Sequence, residues 1–582
     1  MSNLDRRTLL SSILTFAASS VVMPSSASEE TATPRETTVQ NEAPPADVTG
    51  NDLAGAIKVA GRDFTVEQRH QMLAKAIAMR TQCLAVRKVA RHQSVPTAML
   101  FRVSDGPVKP PQGLRITPKK YRRTKGIPTN KELAAASIGQ LAAWLRDGKT
   151  TSVALTQLAI DRCNSYGSRL LCIVSMRTEA ALLDAIQSDK DLSAGIDHGP
   201  LHGIPYGVKD LFATTDLPTT FGAPPFREQF INEDATVVAR LRDAGAILVA
   251  KLSMGELAMG DVWFGGTTRN PWNTTRGSSG SSAGSAAAVS ACLLPFAIGT
   301  ETYGSITSPC AECGTTGLRP TFGRVSRAGA MALSWTMDKI GPITRSVDDA
   351  ALVFAVICGP DGKDRTLQTV GFTWNATTSL KGLRVGYDHL AFENAEPSQK
   401  SVVDYFRSQG VVLVPITLPA TTPAFDALPD VIITAEGAAA FSDLLDDGRL
   451  QTLVQQDDWN WPNAFRIGSL ISATDYISSL QLRSDLQVQM DIALRNVDGY
   501  LTPALSAPSL PWTNLTGHPS VITRCGMNAK GLPVSVEFTG NLWREDVILR
   551  LAYVWEQHYG PKTTWPNVET APSTPPTLAK SD

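Results

Sequence analysis

Residues 270–324 read NPWNTTRGSSGSSAGSAAAVSACLLPFAIGTETYGSITSPCAECGTTGLRPTFGR, and no other stretch restricts the fold so much. The segment opens on a run of Gly and Ser too poor in side chain for an ordinary core helix. It continues through thirteen mostly apolar residues, 286–298, and ends in a second Gly/Ser/Thr turn around Ser305. Two hydroxyl-bearing turns therefore flank what reads as one buried element. Backbone this bare lets amide N–H groups approach a ligand closely. A nucleophilic serine also needs such room beside it for a substrate carbonyl. A Ser-rich surface linker would lack the apolar segment between the turns.

The chain before this stretch alternates helical and strand patterns. Ile138, Leu141, Trp144 and Leu145 fall at helical spacing, Gly148 ends that helix, and Thr151-Ser152 caps the next, with Leu155, Leu158, Ala159 and Cys163 on its apolar face. Residues 172–174 form a strand, 179–190 an Ala-rich helix, and 199–210 a turn leading into a short apolar strand that ends on Lys209. A helix over 234–244 and a buried strand over 246–251 follow. Such alternation predicts an α/β fold, a sheet with helices on both faces.

The N-terminal region differs. Arg6-Arg7 precede an apolar region at about 9–22 and the small residues Ser25-Ser26-Ala27, which together predict a signal peptide of the twin-arginine type over 1–27. The apolar run is short for a membrane span, so no stable membrane insertion is expected after processing, and the localisation expected is periplasmic or secreted. Residues 28–52, rich in Pro, Thr and Glu, read as a flexible leader. Residues 53–128 read as an N-terminal helical extension with a Pro-rich strap, in which Thr65 and Gln68 mark a helix start.

A formal net charge of −1 gives no electrostatic reason to expect a nucleic-acid partner. The eight cysteines are too scattered for a disulfide scaffold. Cys310 and Cys313 form a single CxxC, which without a second pair does not make a zinc site. None of the seven histidines sits in a nucleophile-elbow or metal-ligand spacing, and His202 and His518 lie in Gly/Pro turns where a structural role is expected. Neither a metal nor another cofactor is implied.

Lys209 combined with the two serine turns is more specific. Through PLHGIPYGVKD (200–210), SGSSAGSAAAV (279–289), GTETYGSI (299–306) and CGTTGLRPTFGRVS (313–326) the chain resembles the amidase signature family. The stretches DKIGPITRSVDDAAL (338–352), LTGHPSVITRCGMNAKGLPVSVEFTG (515–540) and REDVILRLAYVWE (544–556) extend the match in the same order. The resemblance implies a single large catalytic domain over 129–570 with a central mixed, twisted sheet covered by helices. It also implies a Ser–cisSer–Lys triad with Ser305 as nucleophile, Ser281 as bridging serine after a cis Gly280–Ser281 bond, and Lys209 as base. The oxyanion hole would be the backbone N–H groups of Thr302, Tyr303, Gly304 and Ser305. Two positions depart from the family pattern, with Tyr303 in place of a glycine and Thr307 in place of an arginine. Ser278, Ser279, Ser282 and Ser285 are expected to be hydrogen-bonding scaffold.

Residues 371–498 diverge from the family pattern and are expected to shape the substrate pocket. A strand is expected at 383–387, with helices over 433–445 and 473–494. Trp459, Trp461, Phe465 and Tyr476 could line a pocket, though their spacing suits core better. Residues 571–582 read as a disordered tail. The functional expectation is an amidase that hydrolyses a small or peptide-like carboxamide through an acyl-enzyme, and the resemblance allows a homodimer. The alternatives are the glutaminase subunit of a tRNA-dependent amidotransferase and a non-catalytic binding protein on the same fold.

Overall fold

Side-chain caps set the helix boundaries in the computed structural model, which describes residues 48–89, 113–117, 126–376, 379–560 and 564–572. The expected signal peptide lies outside these residues, as do most of the leader, most of the Pro-rich strap and most of the tail. Thr65 and Gln68 form a reciprocal capping box at the start of Val66–Lys88, and Ser137 and Thr151 accept the N3 amides of Ile138–Arg146 and Ser152–Leu170. Each such cap satisfies a donor that the first helical turn leaves without a partner. Among the described residues no helix is long and apolar enough to cross a membrane.

The described residues fall into two compact units. The first is helical and joins Gly50–Val59 and Val66–Lys88 with Pro423–Ala440, Ser442–Asp446 and Trp461–Gly468. Arg87 holds Asp475 through two hydrogen bonds of 2.6 and 2.7 Å. The rings of Trp461, Phe465 and Phe441 stack in its interior, and Tyr476 donates to Glu436 at 2.7 Å. Of the four aromatic residues considered for a pocket wall, Trp461 and Phe465 are core, and Trp459 is exposed. The helix expected over 433–445 starts ten residues earlier, at Pro423, and breaks at Phe441. Proline at the first helical position suits the start, where no amide donor is needed.

The second unit carries an eleven-stranded mixed sheet. Numbered along the chain, its strands are β1 (Ile173–Met176), β2 (Pro205–Lys209), β3 (Ile247–Leu252), β4 (Phe296–Glu301), β5 (Thr316–Arg319), β6 (Lys339–Thr344), β7 (Arg384–Asp388), β8 (Val412–Ile416), β9 (Gly499–Pro503), β10 (Ser520–Met527) and β11 (Pro533–Gly540). Their spatial order is β8-β7-β9-β11-β10-β5-β6-β4-β2-β3-β1. Strands β2, β3 and β4 pair in parallel and are buried on both faces, which explains their largely apolar runs. Helices cover the sheet. Ala283–Ser290, wholly buried, packs against β4 and admits only small side chains.

One expectation needs correction. The apolar run 286–298 is not one element but the end of helix Ala283–Ser290, a turn, and the start of β4. Apolar composition alone does not separate a buried helix from a buried strand. The break is what turns the chain back, so that both Gly/Ser turns reach the same end of the sheet.

Candidate active site

Two lysines enter the interior on neighbouring strands. Lys251 on β3 is in register with Val208, so it lies on the sheet face opposite to Lys209, the last residue of β2. Lys251 has a counter-ion, Asp210, at 3.1 Å, and also donates to Thr219 Oγ1 at 2.9 Å. Lys209 is fully buried and, among the described residues, contacts no carboxylate. Its Nζ lies 2.8 Å from Ser281 Oγ and 2.8 Å from Thr300 Oγ1. Burial pushes its pKa down from 10.5 to about 7, and the more distant charges of Asp338 and Glu301 only partly oppose this.

Ser281 comes from the first Gly/Ser turn, and the Gly280–Ser281 peptide is cis. A Cβ on Gly280 would sit 1.8 Å from the carbonyl oxygen of Gly260, so only glycine lets this turn pack as it does. The neighbouring serines tie the turn down. Ser279 N donates to Asp261 at 2.9 Å, and Ser279 and Ser308 share a 2.6 Å hydroxyl contact. Ser282 Oγ donates to Thr300 O at 3.0 Å and accepts from Thr300 N at 3.1 Å. Ser285 donates to Ile298 O, and Ser278 to Ser279 O.

Ser305 lies in the second turn, between β4 and helix Thr307–Cys313. Its carbonyl accepts from Ser282 N at 3.1 Å, which joins the two turns through their main chains. Gly304 has φ +91°, whereas Tyr303 stays out of the left-handed region, so the turn needs its glycine at 304 and tolerates a side chain at 303. Among the described residues the N–H groups of Gly304 and Ser305 meet no protein acceptor, and Ser305 Oγ makes no hydrogen bond. Thr302 Oγ1 donates to Asp338 at 2.6 Å. The structure thus joins Lys209 and Ser281 directly, and brings Ser305 beside them by a backbone link.

Two residues that sequence reasoning passed over hold this arrangement. Thr300 is the second partner of Lys209. Glu301, fully buried at the end of β4, accepts through Oε2 from Ile306 N, Thr307 N and Thr307 Oγ1 at 2.8–2.9 Å. Its Oε1 accepts from Arg319 at 2.7 Å and Asn514 at 2.9 Å. Burial disfavours the Glu301 carboxylate, but Arg319 and these donors outweigh it and hold the pKa at about 2. Thr307, one of the two departures from the family pattern, is therefore a working part of the turn. The only sequence signal was a lone carboxylate ending the apolar run FAIGTE.

A cavity of about 240 Å³ opens beside these groups. Thr300, Thr302, Arg327, Asp338, Lys363 and Asp364 supply its polar wall, and Leu211, Met331 and Ile340 are among its apolar lining residues.

His518 and His202 stand elsewhere. His518 is bonded to Thr516 at 2.7 Å, and burial pushes its pKa down to about 3, so it is neutral at physiological pH. His202 Nδ1 accepts from His198 N at 3.2 Å, which closes the turn before β2. That turn gathers Asp191, His198 and His202 within 4.8 Å. Cys310 and Cys313 are buried free thiols.

The chain is similar to known proteins over most of its length. A family model described as Amidase matches residues 154–510. A glutamyl-tRNA(Gln) amidotransferase subunit from Chloroflexus aggregans is 32% identical over 479 residues, which is 73% of this chain and 97% of that protein. Its counterpart from Coxiella burnetii is 32% identical over 478 residues, 74% and 98% of the two chains. Among solved structures, native peptide amidase from Stenotrophomonas maltophilia superposes with a TM-score of 0.67 at 29% identity, covering 75% of this chain and 99% of that one.

Proposed function

The chain belongs to the Amidase family and is a hydrolase acting on amide C–N bonds, and on that premise we propose an exported amidase of small or peptide-like carboxamides that works through Lys209, Ser281 and Ser305. The observation that carries this reading is the 2.8 Å contact between Ser281 Oγ and a buried lysine that has no counter-ion among the described residues. A lysine is useful as a base only when neutral, and burial is what makes it neutral near pH 7.

In the first step Ser305 Oγ bonds to the substrate carbonyl carbon. Its proton passes to Ser281 as Ser281 passes its own to Lys209. The carbonyl π pair moves onto oxygen, facing the free N–H groups of Gly304 and Ser305, with Thr302 and Tyr303 completing the turn. Loss of one such donor typically costs about 3 kcal/mol of transition-state stabilisation. On collapse the C–N bond breaks, Ser281 protonates the leaving nitrogen, and Lys209 returns its proton to Ser281. Water then repeats the sequence on the Ser305 ester and releases the acid. The Ser305–Ser281 hydrogen bond forms as substrate binds, since catalytic hydrogen bonds commonly tighten only in the complex.

The peptide-like substrate rests on the likeness to peptide amidase and on the largely apolar cavity beside Thr300. Export rests on the Arg6-Arg7 pattern and the small residues before residue 28. Cell fractionation with N-terminal sequencing tests it; a purely cytoplasmic protein refutes export, and an intact Met1 on a periplasmic form refutes cleavage of the signal. Activity is tested with Ser305→Ala, which should abolish hydrolysis of primary, aryl and peptide amides and prevent an acyl adduct detectable by mass spectrometry, with the circular dichroism unchanged. Full turnover by that variant would end the proposal.

A second reading, the glutaminase subunit of a tRNA-dependent amidotransferase, is favoured by the amidotransferase relatives. Copurifying partner chains together with strict glutamine dependence would establish it in place of the first.

A further inference from the structure

We propose that a second cavity, centred on Arg524, binds a small organic carboxylate. The cavity has a volume of about 340 Å³, room for roughly ten waters at ~30 Å³ each. It lies at the far end of helix Thr307–Cys313, where Gly314 and Thr316 line it, and it is distinct from the cavity beside Lys209.

The case begins with the bonding of the buried arginines. Arg319 has Glu301 at 2.7 Å, and Arg324 has Glu545 at 3.2 Å. Arg345, which also lines the cavity, has no carboxylate among the described residues, but its two Nη atoms donate to the carbonyls of Ala134, Ala136, Val289 and Leu294. Those carbonyls belong to the ends of two helices, or follow them closely, and a helix C-terminus is where a cation is stabilised.

Arg524 has no such outlet. It is 4% exposed, and among the described residues only one of its nitrogens, Nη2, reaches an oxygen, the Thr564 carbonyl at 2.8 Å. Its Nη1 meets only the thioether of Met527 at 4.0 Å, and its Nε has no acceptor. The indoles of Trp272 and Trp565 each lie 5.1 Å from its guanidinium carbon. Aromatic faces stabilise a desolvated guanidinium and hold its plane, but they leave its edge without an anion.

The rest of the lining selects the ligand. Glu556, whose Oε1 accepts from Val347 N at 2.8 Å, is the one acidic residue against two arginines, which favours a monoanion. A planar carboxylate matches the guanidinium edge. The paired hydroxyls of Thr316 and Thr523 add polar contacts, and Trp565 offers an apolar surface for the body of the acid.

Isothermal titration of the full chain with benzoate, at ionic strength held constant with sodium chloride, tests this. Saturable binding is expected for the wild type, with affinity lowered about tenfold or more in Arg524→Gln, and inorganic phosphate should bind more weakly than benzoate. Trp565→Ala, which alters a partly exposed ring, should also lower the affinity. No saturable binding by the wild type overturns the proposal, and so does equal affinity in Arg524→Gln, which would place benzoate at Ser305. Preference for phosphate overturns the carboxylate assignment. Should Arg524→Gln not fold, wild-type crystals soaked in benzoate decide. Density beside Arg524 supports the site, and density only beside Ser305, or none, refutes it.

Discussion

Replacing Lys209 with methionine should remove activity and change how stability responds to pH. The ammonium pKa is 10.5 for an ordinary lysine and about 7 for buried Lys209. Between these values the unfolded chain holds a proton that the folded chain does not. Stability conferred by the wild-type residue is therefore complete above pH 10.5 and falls as pH drops towards 7. The slope is about 1.4 kcal/mol per pH unit, so wild type should gain about 4 kcal/mol on Lys209→Met between pH 7 and 10.5. Methionine leaves Ser281 and Thr300 without their shared partner, which lowers the variant's stability by a constant amount. That offset does not titrate, so the pH dependence of the difference is the clean quantity. Urea unfolding of both proteins from pH 7 to 9.5 measures it, since every other titrating group cancels to first order. Parallel stability curves would show that burial does not hold Lys209 neutral, and the base assigned to it would fall with that result.

Three further outcomes follow from the same geometry. The pH–rate profile of kcat/KM should show one acid limb with an apparent pKa near 7, with activity lost below it as Lys209 protonates; a flat profile from pH 5.5 to 8.5 would exclude a titrating base in that range. Glu301→Gln removes the nearer of two carboxylates facing buried Arg319, the other being Glu537 at 3.8 Å, and should cost about 3 kcal/mol in chemical denaturation, with kcat falling more than KM changes, and a variant of unchanged stability would contradict the network described. Gly280→Ala places a methyl group 1.8 Å from a carbonyl oxygen and should give insoluble or inactive protein, whereas a soluble, fully active variant would show that the turn can shift.

The departures at 303 and 307 become intelligible only in three dimensions. In sequence, each weakens the match at the nucleophile turn. In the structure, the backbone conformation that requires glycine falls on Gly304, so Tyr303 carries no strain. Thr307 donates from both its amide and its hydroxyl to Glu301, and Arg319 from the next strand supplies the guanidinium. The buried charge at this turn is thus balanced from elsewhere in the sheet.

Local signals suffice where one local force decides. The capping residues Thr65 and Thr151 start helices where their hydroxyls predict, because a cap bonds amides only two or three residues away. The strands ending at Lys209 and near Lys251 are legible as unbroken apolar runs. The run 286–298 reads as one element and is two, because the choice between helix and strand there depends on what packs around it. The same limit hides Thr300, whose partner Lys209 lies on β2, and Glu301, which ties the turn that follows it to Arg319 on β5 and to Asn514.

The sequence by itself determined the family and the α/β class, and it singled out Lys209, Ser281 and Ser305 as candidates, because motif order and residue chemistry are properties of the chain. Only the tertiary structure decided how the two buried lysines of neighbouring strands are partnered. Lys251 meets Asp210, and Lys209 meets two hydroxyls and no described carboxylate. The physical reason is that a pKa depends on burial and on the charges within a few ångströms, and both are set by strands and turns that are far apart in the chain.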